Sequence, residues 1–312
     1  MDALAVILER PEQLALNRLP LTPAGEGDAM VAVSWSGIST GTERLLWSGR
    51  MPSFPGMGYP LVPGYESVGT VIEAPKGATV RAGDTVFVPG ARCFGAVRGL
   101  FGGAASHLIA PTSRLVPVDV ALGDKAVLIA LAATAYRALG GIRPGSTPLI
   151  VGHGVLGRLL ARLTMAAGAE PTVWETDPIR AEGDFGYCVL APDEDPRRDY
   201  ATITDVSGDA SGLDGLIGRI APGGEIVLAG FYEAPISFAF PPAFMREARL
   251  RISAEFKPDD LAAVTALIDG GRLSLDGLIT HRVPAPQAGE AYRTAFGDPA
   301  CLKMVLDWRA CS

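Results

Sequence analysis

The sequence is poor in the side chains from which metal sites are built. Its 312 residues include three histidines (His107, His153, His281) and four cysteines (Cys93, Cys188, Cys301, Cys311), with no C-x-x-C pair. Thiols scattered in this way argue against a disulfide framework and fit reduced cysteines in a cytoplasmic setting. A basic excess is also missing. With 27 Lys and Arg against 34 Asp and Glu, the net charge is -7, and nucleic acid finds no electrostatic footprint. No apolar stretch approaches the roughly 18 uninterrupted residues of a spanning helix. Met1-Asp2-Ala3-Leu4 has neither the basic nor the apolar region of a secretory signal, so the expectation is a cytoplasmic protein.

Core material is ample. Hydrophobic residues make up 48% and charged residues 20% of the chain, a globular balance that at this length suggests two domains. The first part is dense in glycine and proline between short β-rich runs: Ala3 to Leu8, Ala29 to Trp35, Ser67 to Glu73 and Thr85 to Val88 read as strands. From about Asp119 the texture changes. A helix-like run, Ala126 to Leu139, precedes strands and helices in alternation: Pro148 to Val151, Arg158 to Ala167, Thr172 to Glu175, Ile203 to Val206 and Glu225 to Ala229. Alternation of this kind implies α/β architecture with a doubly wound parallel sheet. A helix at Gln287 to Ala295 and the apolar run Leu302 to Leu306 are expected to return to the first domain. The expected division is 1–117 with 280–312 against 118–279.

Between one of those strands and its helix lies Val151-Gly152-His153-Gly154-Val155-Leu156-Gly157. In this G-x-G-x-x-G the first glycine permits a tight turn, the second lets backbone approach a pyrophosphate, and the third allows close helix–strand packing. The helix start then offers free N–H groups and a positive dipole end to phosphate. Glu175 follows Gly152 by 23 residues. An acid there accepts hydrogen bonds from ribose hydroxyls and repels a 2′-phosphate, so the expected cofactor is NAD rather than NADP.

The order of parts, together with Gly41-Thr42-Glu43, Gly64-Tyr65-Glu66, Ala82-Gly83-Asp84 and Pro222-Gly223-Gly224, resembles the medium-chain dehydrogenase/reductases. The resemblance implies a GroES-like β-rich catalytic domain, a Rossmann domain bearing NAD, and alcohol oxidation. It adds Thr134, Ala229 and Gly230 to the glycine loop and Glu175 as cofactor-binding candidates. A homodimer paired through the Rossmann sheet is common among relatives. Zinc-dependent relatives carry metal ligands where this chain has Ser39 or Thr40, Tyr65, and a position near Ala130. Hydroxyl and methyl groups do not build a tetrahedral zinc site, so no metal is expected.

Catalytic candidates follow from that comparison. Thr42 matches the family's hydroxyl position, Ser39, Thr40 and Tyr65 line the vacated metal site, and Glu43 and Glu66 orient them or accept the proton. Longer runs, such as Phe54-Pro55-Gly56-Met57-Gly58-Tyr59-Pro60 and Gly99-Leu100-Phe101-Gly102-Gly103-Ala104, are similar to a member that oxidises a hydroxyethyl group on a chlorin-type pigment. That similarity implies a wide apolar cleft, with Trp47, Phe54, Tyr59, Phe101 and Phe231 as walls and Arg50 as a partner for the pigment's propionate. Two other readings stay open: a zinc-free quinone or enoyl reductase, and a non-catalytic nucleotide-binding pathway protein.

Overall fold

The computed structural model describes residues 1–311. In chain order it contains β1 (Asp2–Arg10), β2 (Gln13–Pro20), β3 (Asp28–Ile38), α1 (Thr42–Ser48), β4 (Leu61–Val62), β5 (Ser67–Glu73), β6 (Thr85–Val88), β7 (Arg98–Gly99), β8 (His107–Pro111) and β9 (Val116–Pro117). There follow α2 (Ile129–Leu139), β10 (Leu149–Val151), α3 (Val155–Ala166), β11 (Thr172–Trp174), α4 (Pro178–Ala181), β12 (Cys188–Leu190), β13 (Tyr200–Asp205), α5 (Leu213–Ile217) and β14 (Ile220–Leu228). Last come α6 (Phe240–Met245), β15 (Arg249–Ile252), α7 (Pro258–Asp269), β16 (His281–Pro284), α8 (Ala288–Gly297) and β17 (Met304–Asp307).

The chain forms two compact units, Met1–Ala130 with the stretch from Asp276 onward, and Leu131–Leu275. The boundaries therefore fall later and earlier than the expected 117/118 and 279/280. One reason is the 3-10 segment Val120–Leu128, which packs on β3, β5 and β6 and so stays with the first unit.

The first unit carries a sheet of order β2-β1-β4-β7 and a second of order β16-β17-β3-β5-β6-β9, with β8 also on β3. Along β3, Ala29, Val31 and Val33 are buried between half-buried neighbours, the period-two signature of a strand with one face on the core. At its end the alternation stops and Ser36, Gly37 and Ile38 are all buried, as expected where both faces are covered. There the returning β17 pairs antiparallel with β3, setting Val305 opposite Gly37 and Met304 opposite Ile38. The expected carboxy-terminal return thus does more than complete a sheet: it places Lys303 beside Gly37.

The second unit is a six-stranded sheet of order β12-β11-β10-β13-β14-β15, parallel at every pairing. Its order reverses between β10 and β13, and doubly wound sheets bind ligands beyond the carboxyl ends of the strands at such a point. Eight strands escaped the sequence reading. In β2, β15 and β16 charged residues break the apolar pattern, β4, β7, β9 and β12 are only two or three residues long, and β8 follows directly on a glycine-rich loop.

Candidate active site

In the second unit the glycine loop leaves β10 as its spacing implies. Gly152 sits at φ +103°, a conformation that side-chain-bearing residues rarely adopt. A Cβ on Gly157 would run into the Gly152 carbonyl, whereas one on Gly154 would meet nothing within 4 Å. The first and third glycines are therefore structural, and the second keeps open the approach to the start of α3. Helix α3 begins at Val155, three residues before the expected Arg158, so its first amides lie directly on the loop.

Glu175 lies just past β11. Its Oε1 accepts the amides of Thr176 at 2.8 Å and Asp177 at 2.9 Å, and its Oε2 accepts the amide of His153 at 3.0 Å. Oε1 has both lone pairs engaged and Oε2 has one left. The carboxylate is thus locked to the loop it faces, with room to accept one strong hydrogen bond rather than the pair expected of it.

Three cofactor candidates have other occupations. His153 is fully buried, its Nδ1 on the Arg180 carbonyl at 2.7 Å and its Nε2 on the Tyr187 hydroxyl at 2.8 Å. Burial pushes its pKa down to about 4. The ring is a neutral peg holding the loop to the 180–187 segment, and with its amide given to Glu175 it offers phosphate nothing. The amides of Ala229 and Gly230 both donate to the Asp205 carbonyl, at 2.9 and 3.0 Å. Asp205, missed in the sequence, organises this end of the sheet. Its side chain accepts the Ser207 amide and the Tyr232 hydroxyl, each at 2.8 Å. Thr134 stands half-buried on α2.

In the first unit the hydroxyls gather as expected, with one exception. Ser39 Oγ lies 2.7 Å from Tyr65 Oη, and the Thr42 side chain is near enough to the Tyr65 phenol to favour its ionised form slightly. Thr40 is left out: among the described residues no side-chain hydrogen bond joins it to this chain. Burial, with Glu66 nearby, pushes the Tyr65 phenol up, so it stays protonated. Behind the hydroxyls lie two carboxylates with unlike partners. Glu43, in the first turn of α1, accepts the Ser39 amide on Oε1 at 3.1 Å and the Tyr292 hydroxyl on Oε2 at 2.7 Å. It is fully buried, and that burial pushes its pKa up to about 7. Glu66 instead pairs with the Lys303 ammonium, and the two are 0% and 1% exposed.

Lys303 and Tyr292 escaped the sequence reading. A lone lysine inside the apolar run Leu302 to Leu306 was the available signal, since a buried ammonium demands a partner. The pair fits because Gly37 has no side chain: a Cβ there would overlap the Glu66 carboxylate and come within 2.9 Å of Lys303 Cε. Among the described residues no group of three or more His, Cys, Asp or Glu side chains is placed to hold a metal ion. Ser39, Tyr65 and a carboxylate already matched by an ammonium do not make a zinc site.

The expected substrate walls divide. Phe101 stands edge-on to Tyr65, ring centroids 5.3 Å apart, beside the hydroxyl chain. Trp47 is half-buried and packs against Tyr292 and Phe296, ring centroids 6.2 and 6.3 Å away. Phe54 and Tyr59 rest on Leu8, Leu46, Leu61 and Leu100, and the Tyr59 hydroxyl donates to the Leu46 carbonyl. The loop from Arg50 to Pro60 therefore has an apolar anchor of its own, which its sequence did not suggest. Arg50 is exposed and bonds Ser48 Oγ at 3.1 Å. Phe231 is 47% exposed.

Comparison with known proteins agrees with this anatomy. Residues 25–120 match the alcohol dehydrogenase GroES-like domain. A 2-desacetyl-2-hydroxyethyl bacteriochlorophyllide A dehydrogenase from Rhodobacter capsulatus is 58% identical, covering 99% of both chains. Its counterpart from Cereibacter sphaeroides is 56% identical with the same coverage. The fold is shared with an alcohol dehydrogenase from E. coli CFT073 solved with its cofactor NADH, at a TM-score of 0.85 and 20% identity over 98% of this chain and 99% of that one. Replacing Gly157 with valine is expected to displace the loop and weaken NADH binding at least about tenfold, read by nucleotide fluorescence titration. Unchanged affinity would remove the loop from the cofactor site.

Proposed function

Since the chain belongs to the 2-desacetyl-2-hydroxyethyl bacteriochlorophyllide A dehydrogenases, within the GroES-like medium-chain dehydrogenases, we propose that it oxidises the ring-A 1-hydroxyethyl group of a bacteriochlorophyllide to acetyl. Hydride passes to NAD and the proton passes to protein hydroxyls without zinc. The observation that carries this reading is the Ser39–Tyr65 hydroxyl pair, with Thr42 beside it, next to two buried carboxylates, Glu43 and the lysine-paired Glu66.

The nucleotide, when bound, supplies the hydride acceptor. The residues that hold it are the open backbone at Gly154 and the amides opening α3, with Glu175 toward the adenosine ribose. A 2′-phosphate would meet the Glu175 carboxylate, which favours NAD over NADP. The alcohol proton passes to the Ser39–Tyr65 hydroxyl pair, and Glu43, which holds the Ser39 amide, is the carboxylate nearest in character to a base. Of the cluster's carboxylates, only this one combines a pKa near 7 with freedom from an ion pair. A group with a pKa near working pH suits general base catalysis. The substrate shares the task, because a carbinol joined to a conjugated macrocycle spreads the positive charge that develops as hydride departs. Phe101, edge-on to Tyr65, is the wall closest to that chemistry. A C=C reductase has less need of a buried carboxylate tuned to near neutrality, and a non-catalytic sensor has none.

An exposed apolar face on the second unit bears on assembly. Phe240, Phe244, Met245 and Ile252 are 67%, 65%, 77% and 70% exposed, and β15 is the open edge of the six-stranded sheet. Edge strands and contiguous apolar patches of this kind are normally covered. Their occupant is proposed to be a second copy of the chain, giving a homodimer.

Two measurements test these proposals. Incubation with NAD and the hydroxyethyl pigment should produce the red-shifted acetyl product with matching NADH, faster than with NADP; no NADH formation would refute the enzyme reading. Light scattering should give about twice the chain mass, and Ile252→Asp should halve it. A monomer at micromolar concentration would contradict the pairing.

A further inference from the structure

Three loops interlock at the carboxyl ends of β10, β13 and β14. Residues 206–208, leaving β13, are packed between the nucleotide loop and the turn that follows β14. A Cβ on Gly152 would lie 3.3 Å from the Ser207 amide nitrogen, and one on Gly230 would lie 3.0 Å from that of Gly208. Asp205, 3% exposed, ties the same pieces together. Its carbonyl accepts the amides of Ala229 and Gly230. Its carboxylate accepts the Ser207 amide on Oδ1 and the Tyr232 hydroxyl on Oδ2, each at 2.8 Å.

Of these bonds, the one from Tyr232 reaches furthest into the turn. Residues 231–239 form neither helix nor strand, so no ladder fixes the chain there. Neighbouring side chains part company at this point: the Tyr232 ring packs on the core of the unit, whereas Phe231 is 47% exposed. Burying a carboxylate is costly, and ending β14 needs only the two amides already bound to the Asp205 carbonyl.

The sheet order says what the turn faces. β11, which leads into Glu175, lies on one side of β10, and β13 and β14 lie on the other. A dinucleotide with its ribose at Glu175 and its phosphates at the start of α3 carries its second half across β10, over the ends of β13 and β14. The 229–232 turn is therefore at the nicotinamide end. We propose that Tyr232 is a positioning residue for hydride transfer: its hydroxyl, bound to Asp205, fixes the turn and with it Phe231 against the nicotinamide half of the cofactor. This rests on the nucleotide reading above and adds to it the tie that sets how the reacting ring is held. The reaction itself is unchanged. The carbinol C–H bond breaks with its electron pair going to the nicotinamide, the alcohol proton goes to the Ser39–Tyr65 hydroxyls, and the C=O bond forms.

Tyr232→Phe keeps the ring and removes the tie. In a single turnover of the NAD complex with the hydroxyethyl pigment, the rate of NADH formation should fall about tenfold, since small misplacements of reacting groups are costly. Its amplitude, which counts folded enzyme, should stay at the wild-type level, and NADH affinity should change far less than the rate. Pigment deuterated at the carbinol carbon should slow the same phase, identifying it as hydride transfer. Asp205→Asn, which retains a partner for both the Ser207 amide and the Tyr232 hydroxyl, should lie nearer wild type. Phe231→Ala, a change at an exposed position, should reproduce the slower rate, and it carries the test should Tyr232→Phe fail to fold. A reduced amplitude at unchanged rate would mark Tyr232 as structural only and overturn the proposal, as would wild-type rates in Tyr232→Phe or Phe231→Ala. Wild-type protein that binds no NADH would overturn the nucleotide reading and this inference with it.

Discussion

A positive charge buried against a negative one, with no third hydrogen-bonding partner among the described residues, is the constraint around which the first unit is arranged. Lys303 reaches Glu66 only because β17 returns antiparallel to β3 and because Gly37 is bare on the intervening strand. Those requirements tie residues 37, 66 and 303, far apart in sequence, to one point under the hydroxyl chain. Removing either charge would strand the other in a low-dielectric interior, at a cost of several kcal/mol.

The nucleotide half follows a different logic, in which backbone does most of the work. Gly152 turns the chain, Gly157 lets α3 lie against the strand, and His153 pins the loop from behind through the Arg180 carbonyl and Tyr187. Glu175 is held by three amides before any ligand arrives. Such preorganisation lowers the ordering that binding would otherwise require. It also means that a change at Glu175 would disturb the loop as well as any ribose contact.

Sequence patterns revealed most of this fold, because the signals were local. Short β-rich runs between glycine and proline marked β3, β5 and β6, and glycine spacing marked the nucleotide turn. The site was half legible. Ser39, Thr42, Glu43, Tyr65 and Glu66 lie in short motifs around two turns, and the fold does bring them together. Lys303, Tyr292 and Asp205 were not readable in the same way, since their roles depend on strand return and helix packing across long stretches of chain. Trp47 shows the converse. Its place among the aromatics suggested a substrate wall, and only the positions of Tyr292 and Phe296 show what it packs against.

The central claim is that protein hydroxyls and carboxylates, without a bound metal, serve the proton-accepting end of the reaction. The most direct measurement is turnover of the hydroxyethyl pigment with NAD by protein stripped with chelator, with its metal content determined by elemental analysis. The account predicts undiminished acetyl formation at substoichiometric zinc. Activity that rises and falls in proportion to bound zinc would contradict it.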